Sequence, residues 1–167
     1  MCVKMKVMKK KLSVLFCLLL GVSLYAQSAD VITELLESNQ ATFGQVCYLA
    51  AVQQNLVDES SSYDNAVQVM FENGLIPNSE DALAPIPLVD IAYIYSRLWP
   101  IEGGLMYRLT KGSPRYAFRQ LQSDGIISRK ADPSDFVTGA KALSLYTSCV
   151  KKYSGFNMKE VSMESEE

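Results

Sequence analysis

Histidine is absent from all 167 residues. Without it there is no His-based catalytic triad and no His-ligated zinc. Nor is there a side chain whose ordinary titration falls near neutral pH. Cysteine is scarce: Cys2, Cys17, Cys47 and Cys149. The first two lie in an N-terminal segment expected to be removed, and two thiolates cannot complete a four-ligand zinc site. No phosphate-binding glycine loop and no Gly-x-Ser-x-Gly occurs. No cofactor, no metal and no catalytic residue is therefore expected. Long apolar runs are missing too. The run Leu12 to Leu24 is shorter than the about 20 residues a spanning helix needs, so no stable transmembrane span is expected.

The N-terminus has a different use. Lys4, Lys6, Lys9, Lys10 and Lys11 precede that run without an acid among them, and Tyr25-Ala26-Gln27-Ser28-Ala29 follows it. A cationic start, a short apolar stretch and small residues are the pattern of a cleaved signal peptide. Residues 1–26 are assigned to it, with cleavage after Ala26 and Ala29 as the second choice. Phe16 before Cys17 is too bulky for a lipoprotein site. The destination is the periplasm or the exterior.

Removing the five lysines leaves 11 basic residues of 16 against 18 acidic ones, a net charge near −7. Such acidity argues against a nucleic-acid partner, whose phosphates call for concentrated Lys and Arg. About 140 residues make one domain with a substantial core. In an oxidising compartment Cys47 and Cys149 can pair, which would stabilise the fold by roughly 4–5 kcal/mol in the chain-entropy model. Both also sit on apolar helical stripes, where free thiols pack as small hydrophobes. The sequence leaves the two alternatives open.

Apolar spacing predicts helices at 30–38, 42–54, 63–73, 88–99, 113–124 and 137–153. Ser113-Pro114 is a strong helix start, while Leu105 to Thr110 reads as a short strand or extended segment. Residues 154–167 carry four glutamates and few apolar anchors, and read as a frayed or disordered acidic tail. The helical domain thus spans 27–153.

Within it, Ala66 to Ile76 aligns without a gap on Ala117 to Ile127, an offset of 51 residues. Both stretches end Gly-aliphatic-aliphatic and lead through a loop to a longer helix. Thr42 to Tyr48 aligns with Val137 to Leu143, glycine on glycine. The fold class expected is all-α, two or three short helix–loop–helix repeats in one compact domain. Over residues 42–152 this pattern resembles the S-layer homology repeat, a family whose modules bind cell-wall polymer. The resemblance implies the fold and a polymer-binding role. The family's Thr-Arg-Ala-Glu-like run is replaced here by Leu88-Val89-Asp90-Ile91 and Thr138-Gly139-Ala140-Lys141; Thr138 and Asp90 are what remains of it.

The segment Gly103 to Arg119 holds Arg108, Lys111, Arg115 and Arg119 with no acid among them, and Tyr107 and Tyr116 between. Guanidinium groups take carboxylate or phosphate in a two-pronged fashion. Arg108, Lys111, Arg115, Arg119 and Tyr107 are therefore candidate binding residues for an anionic partner. The competing reading pairs these bases with Glu102, Asp124, Asp132 or Asp135 on a solvated surface. Trp99 is either an exposed anchor or a plug at a helix end. Glu72, Asp90, Glu102, Asp132 and Asp135 offer carboxylates for a glycosidase, but nothing in the sequence pairs them. The function expected is an exported, non-catalytic envelope protein that binds cell-wall polymer or an envelope protein through the basic segment. A structural subunit of an envelope assembly is the alternative, and a carbohydrate-active enzyme the third.

Overall fold

The computed structural model describes residues 30–154. The expected signal peptide and all but the first residue of the expected tail lie outside this range. The chain divides into two units between Glu34 and Leu35. In the first, the described residues 30–34 are helical; in the second, residues 35–37 are helical (together labelled α1, 30–37). The unit from Leu35 onward holds the buried core.

Six further helices succeed α1: α2 Phe43–Gln53, α3 Tyr63–Glu72, α4 Leu88–Ser96, α5 Leu105–Leu109, α6 Pro114–Ser123 and α7 Gly139–Tyr153. The described residues contain no strand, only two isolated β-bridges, and no helix among them is long and apolar enough to cross a membrane. The all-α class is thus observed. Residues 105–109 are helical, which corrects the strand expected there. Leu, Met and Arg are good helix formers, and no β-branched residue lies among 105–109 to favour a strand.

Caps fix the helix starts. Thr42 and Gln45 form a reciprocal capping box, and Thr138 accepts from Lys141 N at 3.2 Å. The two threonines are therefore equivalent, one residue out from the sequence alignment that set Thr42 opposite Val137. Ser62 caps α3 through Asn65 N, whereas Ser113 starts α6 without a side-chain bond, ahead of Pro114. Two helices end alike. Leu75 N donates to Met70 O and Gly74 N to Phe71 O; Ile126 N donates to Leu121 O and Gly125 N to Gln122 O. Gly74 and Gly125 take φ of 68° and 77°, the left-handed closure open to glycine. Ile76 and Ile127 then turn into the core.

The starts of α2, α4 and α7 are tied together in a ring. Phe43 N donates to Ala84 O and Gly44 N to Ala82 O, in the connector that leads into α4. Leu88 N donates to Asp135 O and Val89 N to Pro133 O, in the connector that leads into α7. Gly139 N donates to Ser38 O and Ala41 N to Val137 O, which joins α7 back to the segment before α2. Each helix start thus finds acceptors for its orphan amides in another connector's backbone. Below the ring, Val46, Cys47 and Ala50 of α2, Ile91, Ile94 and Tyr95 of α4, and Ala142, Leu145 and Cys149 of α7 are buried. Helix α3 packs on α2, and α6 on α4.

Candidate functional site

Helix α6 separates its residues by period. Ala117, Phe118 and Leu121 are buried. Arg115, Phe118, Arg119 and Gln122, spaced i, i+3, i+4, i+7, form a second stripe along the edge of that face. Opposite them runs the connector 128–133. Gln122 Nε2 donates to Ser128 O at 3.0 Å, and Val89 N reaches Pro133 O at 2.9 Å, so the connector is pinned at both ends. Between lies a surface groove of about 510 Å³ lined by Val89, Arg115, Phe118, Arg119, Gln122, Arg129, Ala131 and Pro133.

Three exposed guanidinium groups therefore border one groove whose apolar lining comes from Val89, Phe118, Ala131 and Pro133. Among the described residues none of the three arginines has an ion-pair partner or a side-chain hydrogen bond. Three of the four acids considered as partners hold hydrogen bonds of their own. Asp124 accepts from Gln120 Nε2 and from the Tyr153 hydroxyl. Asp132 accepts from the backbone and hydroxyl of Ser134, which holds its carboxyl pKa below the usual carboxylate value. Asp135 accepts from Asp132 N. Glu102 is exposed.

The basic segment is split. Arg115 and Arg119 reach the groove; Arg108 and Lys111 lie on and just after α5, exposed and outside its lining. Arg129 joins the site from the far connector. The sequence signal for it was the Ser-Arg-Lys step after the Gly-Ile-Ile turn, on a loop whose return beside α6 only the ring bonds dictate. Tyr107 belongs to the scaffold: a Cβ on Gly103 or Gly112 would collide with its ring, and its hydroxyl donates to Ser96 O at 3.4 Å. Trp99 is half-buried against Tyr146 and Tyr153, with centroids 5.8 and 6.4 Å away. It plugs the end of α4 against α7.

Cys47 and Cys149 are both free thiols and both buried. Burial pushes the pKa of each up to about 12, helped at Cys149 by the Asp124 carboxylate. The carboxylates considered for catalysis are dispersed. Glu72 accepts from Gln68 on its own helix, and Asp132 and Asp135 share one turn. Asp90 lines a separate cavity of about 80 Å³ with Glu80, Phe43 and Tyr93. Burial first, then the charge of Glu80, raises the Asp90 carboxyl above its ordinary value. No group of three His, Cys, Asp or Glu placed to hold a metal ion occurs among the described residues. No family model matches the chain, and neither a curated protein nor a solved structure is significantly similar to it.

Proposed function

We propose that this chain is an exported, non-catalytic envelope protein, periplasmic or secreted, that binds an anionic cell-wall polymer in the groove of Arg115, Arg119 and Arg129. The observation that carries the reading is three guanidinium groups on one groove with no carboxylate partner among the described residues. Unneutralised like charges in a chain of net acidic character attract a polyanion, and guanidinium holds carboxylate or phosphate oxygens two at a time. The apolar lining suits the carbon faces of sugar rings. The fold in this reading is three helix–loop–helix modules of the S-layer homology kind: α1–α2, α3–α4 and α6–α7. Support comes from the matching closures of α3 and α6 and from the ring that joins the starts of α2, α4 and α7.

Co-sedimentation of the exported protein with purified sacculi tests this. Binding should weaken as salt rises, because the groove charges are solvent-exposed. Arg115→Ala with Arg119→Ala should cut affinity by roughly ten-fold or more per arginine, as expected for charge-assisted bonds of about 1.5–3 kcal/mol. Arg129→Ala should act in the same direction. No sedimentation at low salt would end the polymer reading and turn attention to a protein partner.

A further inference from the structure

Helix α5 is built the wrong way round for a soluble domain. None of its residues is buried. At about 100° per residue, Leu105, Leu109 and Met106 share an arc of about 100°, with Tyr107 on the opposite side. Tyr107 is the anchor: it is half-buried, with Gly103 and Gly112 against its ring and its hydroxyl on Ser96 O. The apolar arc is therefore turned outward, and Leu105, Met106 and Leu109 are 74, 45 and 72 % exposed. Five residues are too few for a helix that holds itself together in water. Its ends are fastened instead. Gly104 N donates to Gln120 Oε1 at 2.9 Å, and Gly112 N to Tyr107 O at 2.7 Å across the left-handed Lys111.

One flank of the arc is cationic, and a second cation follows the helix in the chain. Arg108 sits next to Leu105 on the helix circumference, and Lys111 comes just after Leu109. Both are exposed and neither is ion-paired among the described residues. No acid lies between Gly103 and Arg119 in an otherwise acidic chain. Exposed leucines bordered by Lys and Arg match the layered chemistry of an anionic bilayer, apolar within and phosphate at the rim. A neutral protein groove would match the leucines without calling for the cations, and an acidic one would leave binding indifferent to lipid, which the vesicle test reads directly.

We infer that α5 is a membrane-surface contact: Leu105, Met106 and Leu109 insert among the acyl chains of an anionic leaflet while Arg108 and Lys111 meet its phosphates. This face lies outside the arginine groove, so it stands whether or not the groove binds polymer. The test is sedimentation of the exported protein, its N-terminus checked by mass, with vesicles of phosphatidylcholine containing or lacking one third phosphatidylglycerol. Each interfacial cation contributes roughly five-fold in affinity, so binding should be roughly 30-fold tighter to the anionic vesicles at low salt. Leu105→Asn with Leu109→Asn should remove binding with the far-UV spectrum unchanged, since neither side chain is in the core. Arg108→Gln with Lys111→Gln should abolish the preference for phosphatidylglycerol. Absence of binding to anionic vesicles, or equal binding by the leucine variant, overturns the inference. So does a leucine-dependent dimer without lipid, which would give the face to a second copy.

Discussion

Gly44 provides a test of the ring in which helix propensity and packing disagree in sign. Alanine in a helix is better than glycine by roughly 0.5–1 kcal/mol, so propensity alone expects Gly44→Ala to stabilise. A Cβ at Gly44 would lie 2.6 Å from Tyr63 Cβ, 2.8 Å from Ala82 O and 3.0 Å from Ala82 Cβ. None of these is the far end of a flexible side chain, so no rotamer change relieves the crowding. The start of α2 must move off α3 and the connector, and that stretches the 2.8 Å bond from Gly44 N to Ala82 O. Overpacking costs about 1–3 kcal/mol and a weakened buried hydrogen bond about 1. Set against the propensity gain, the net loss is about 1–3.5 kcal/mol, at roughly 3–5 °C of Tm per kcal/mol for a domain this size. Urea titration at constant m measures it. Gly74→Ala is the control: φ is +68° with nothing within 4 Å, so backbone strain of about 1–2 kcal/mol should act alone. A Gly44→Ala protein as stable as wild type would refute the account of the ring.

With thiols pushed up to about 12, the native protein should be inert to a thiol reagent at pH 8. The denatured, unreduced exported chain should titrate two thiols; none would mean a Cys47–Cys149 disulfide, and four an uncleaved N-terminus. At Asp90 the folded carboxyl is raised by burial and by Glu80. Its contribution to stability is present below the unfolded value of about 3.9 and is lost as pH rises through the folded one. Asp90→Asn, which cannot ionise, should therefore match wild type in urea at pH 3 and exceed it at pH 7; equal midpoints at both would remove the desolvation argument.

The helices were legible because their periods were strong. The 51-residue register placed Met70 with Leu121 and Ile76 with Ile127, and all four are buried. Boundaries failed where tertiary bonds compete with the pattern. Val137 continues the apolar stripe of α7, yet its carbonyl accepts from Ala41 N and the helix begins only at Gly139. Helix α4 stops at Ser96, since Arg97 N and Leu98 N bond three residues back before Pro100 can end it. Helix α5 was unreadable because its apolar residues point outward, so no burial pattern marks it. The groove was half legible. Spacing on α6 put Arg115 and Arg119 on one stripe, but Arg129 arrives through Val89 N on Pro133 O, a bond between backbones that carries no residue preference.

That backbone frame occurs twice, and the comparison separates charge from architecture. The connectors 73–87 and 124–138 have equal length and receive equivalent bonds: Gly44 N on Ala82 O against Val89 N on Pro133 O, and Phe43 N on Ala84 O against Leu88 N on Asp135 O. At the same offset of 51, the positions of Arg115, Arg119 and Arg129 are held by Asp64, Gln68 and Asn78. The frame forms there without a cation, so the three arginines are not needed to build it. Replacing them together, Arg115→Asp, Arg119→Gln and Arg129→Asn, should leave the urea midpoint within about 0.5 kcal/mol of wild type, as for exposed positions generally. An acid in the first turn of α6 even favours the helix slightly. Sedimentation with sacculi should be lost. A variant that unfolds would show the arginines to be structural after all, and one that folds and still binds would move the polymer site away from this groove.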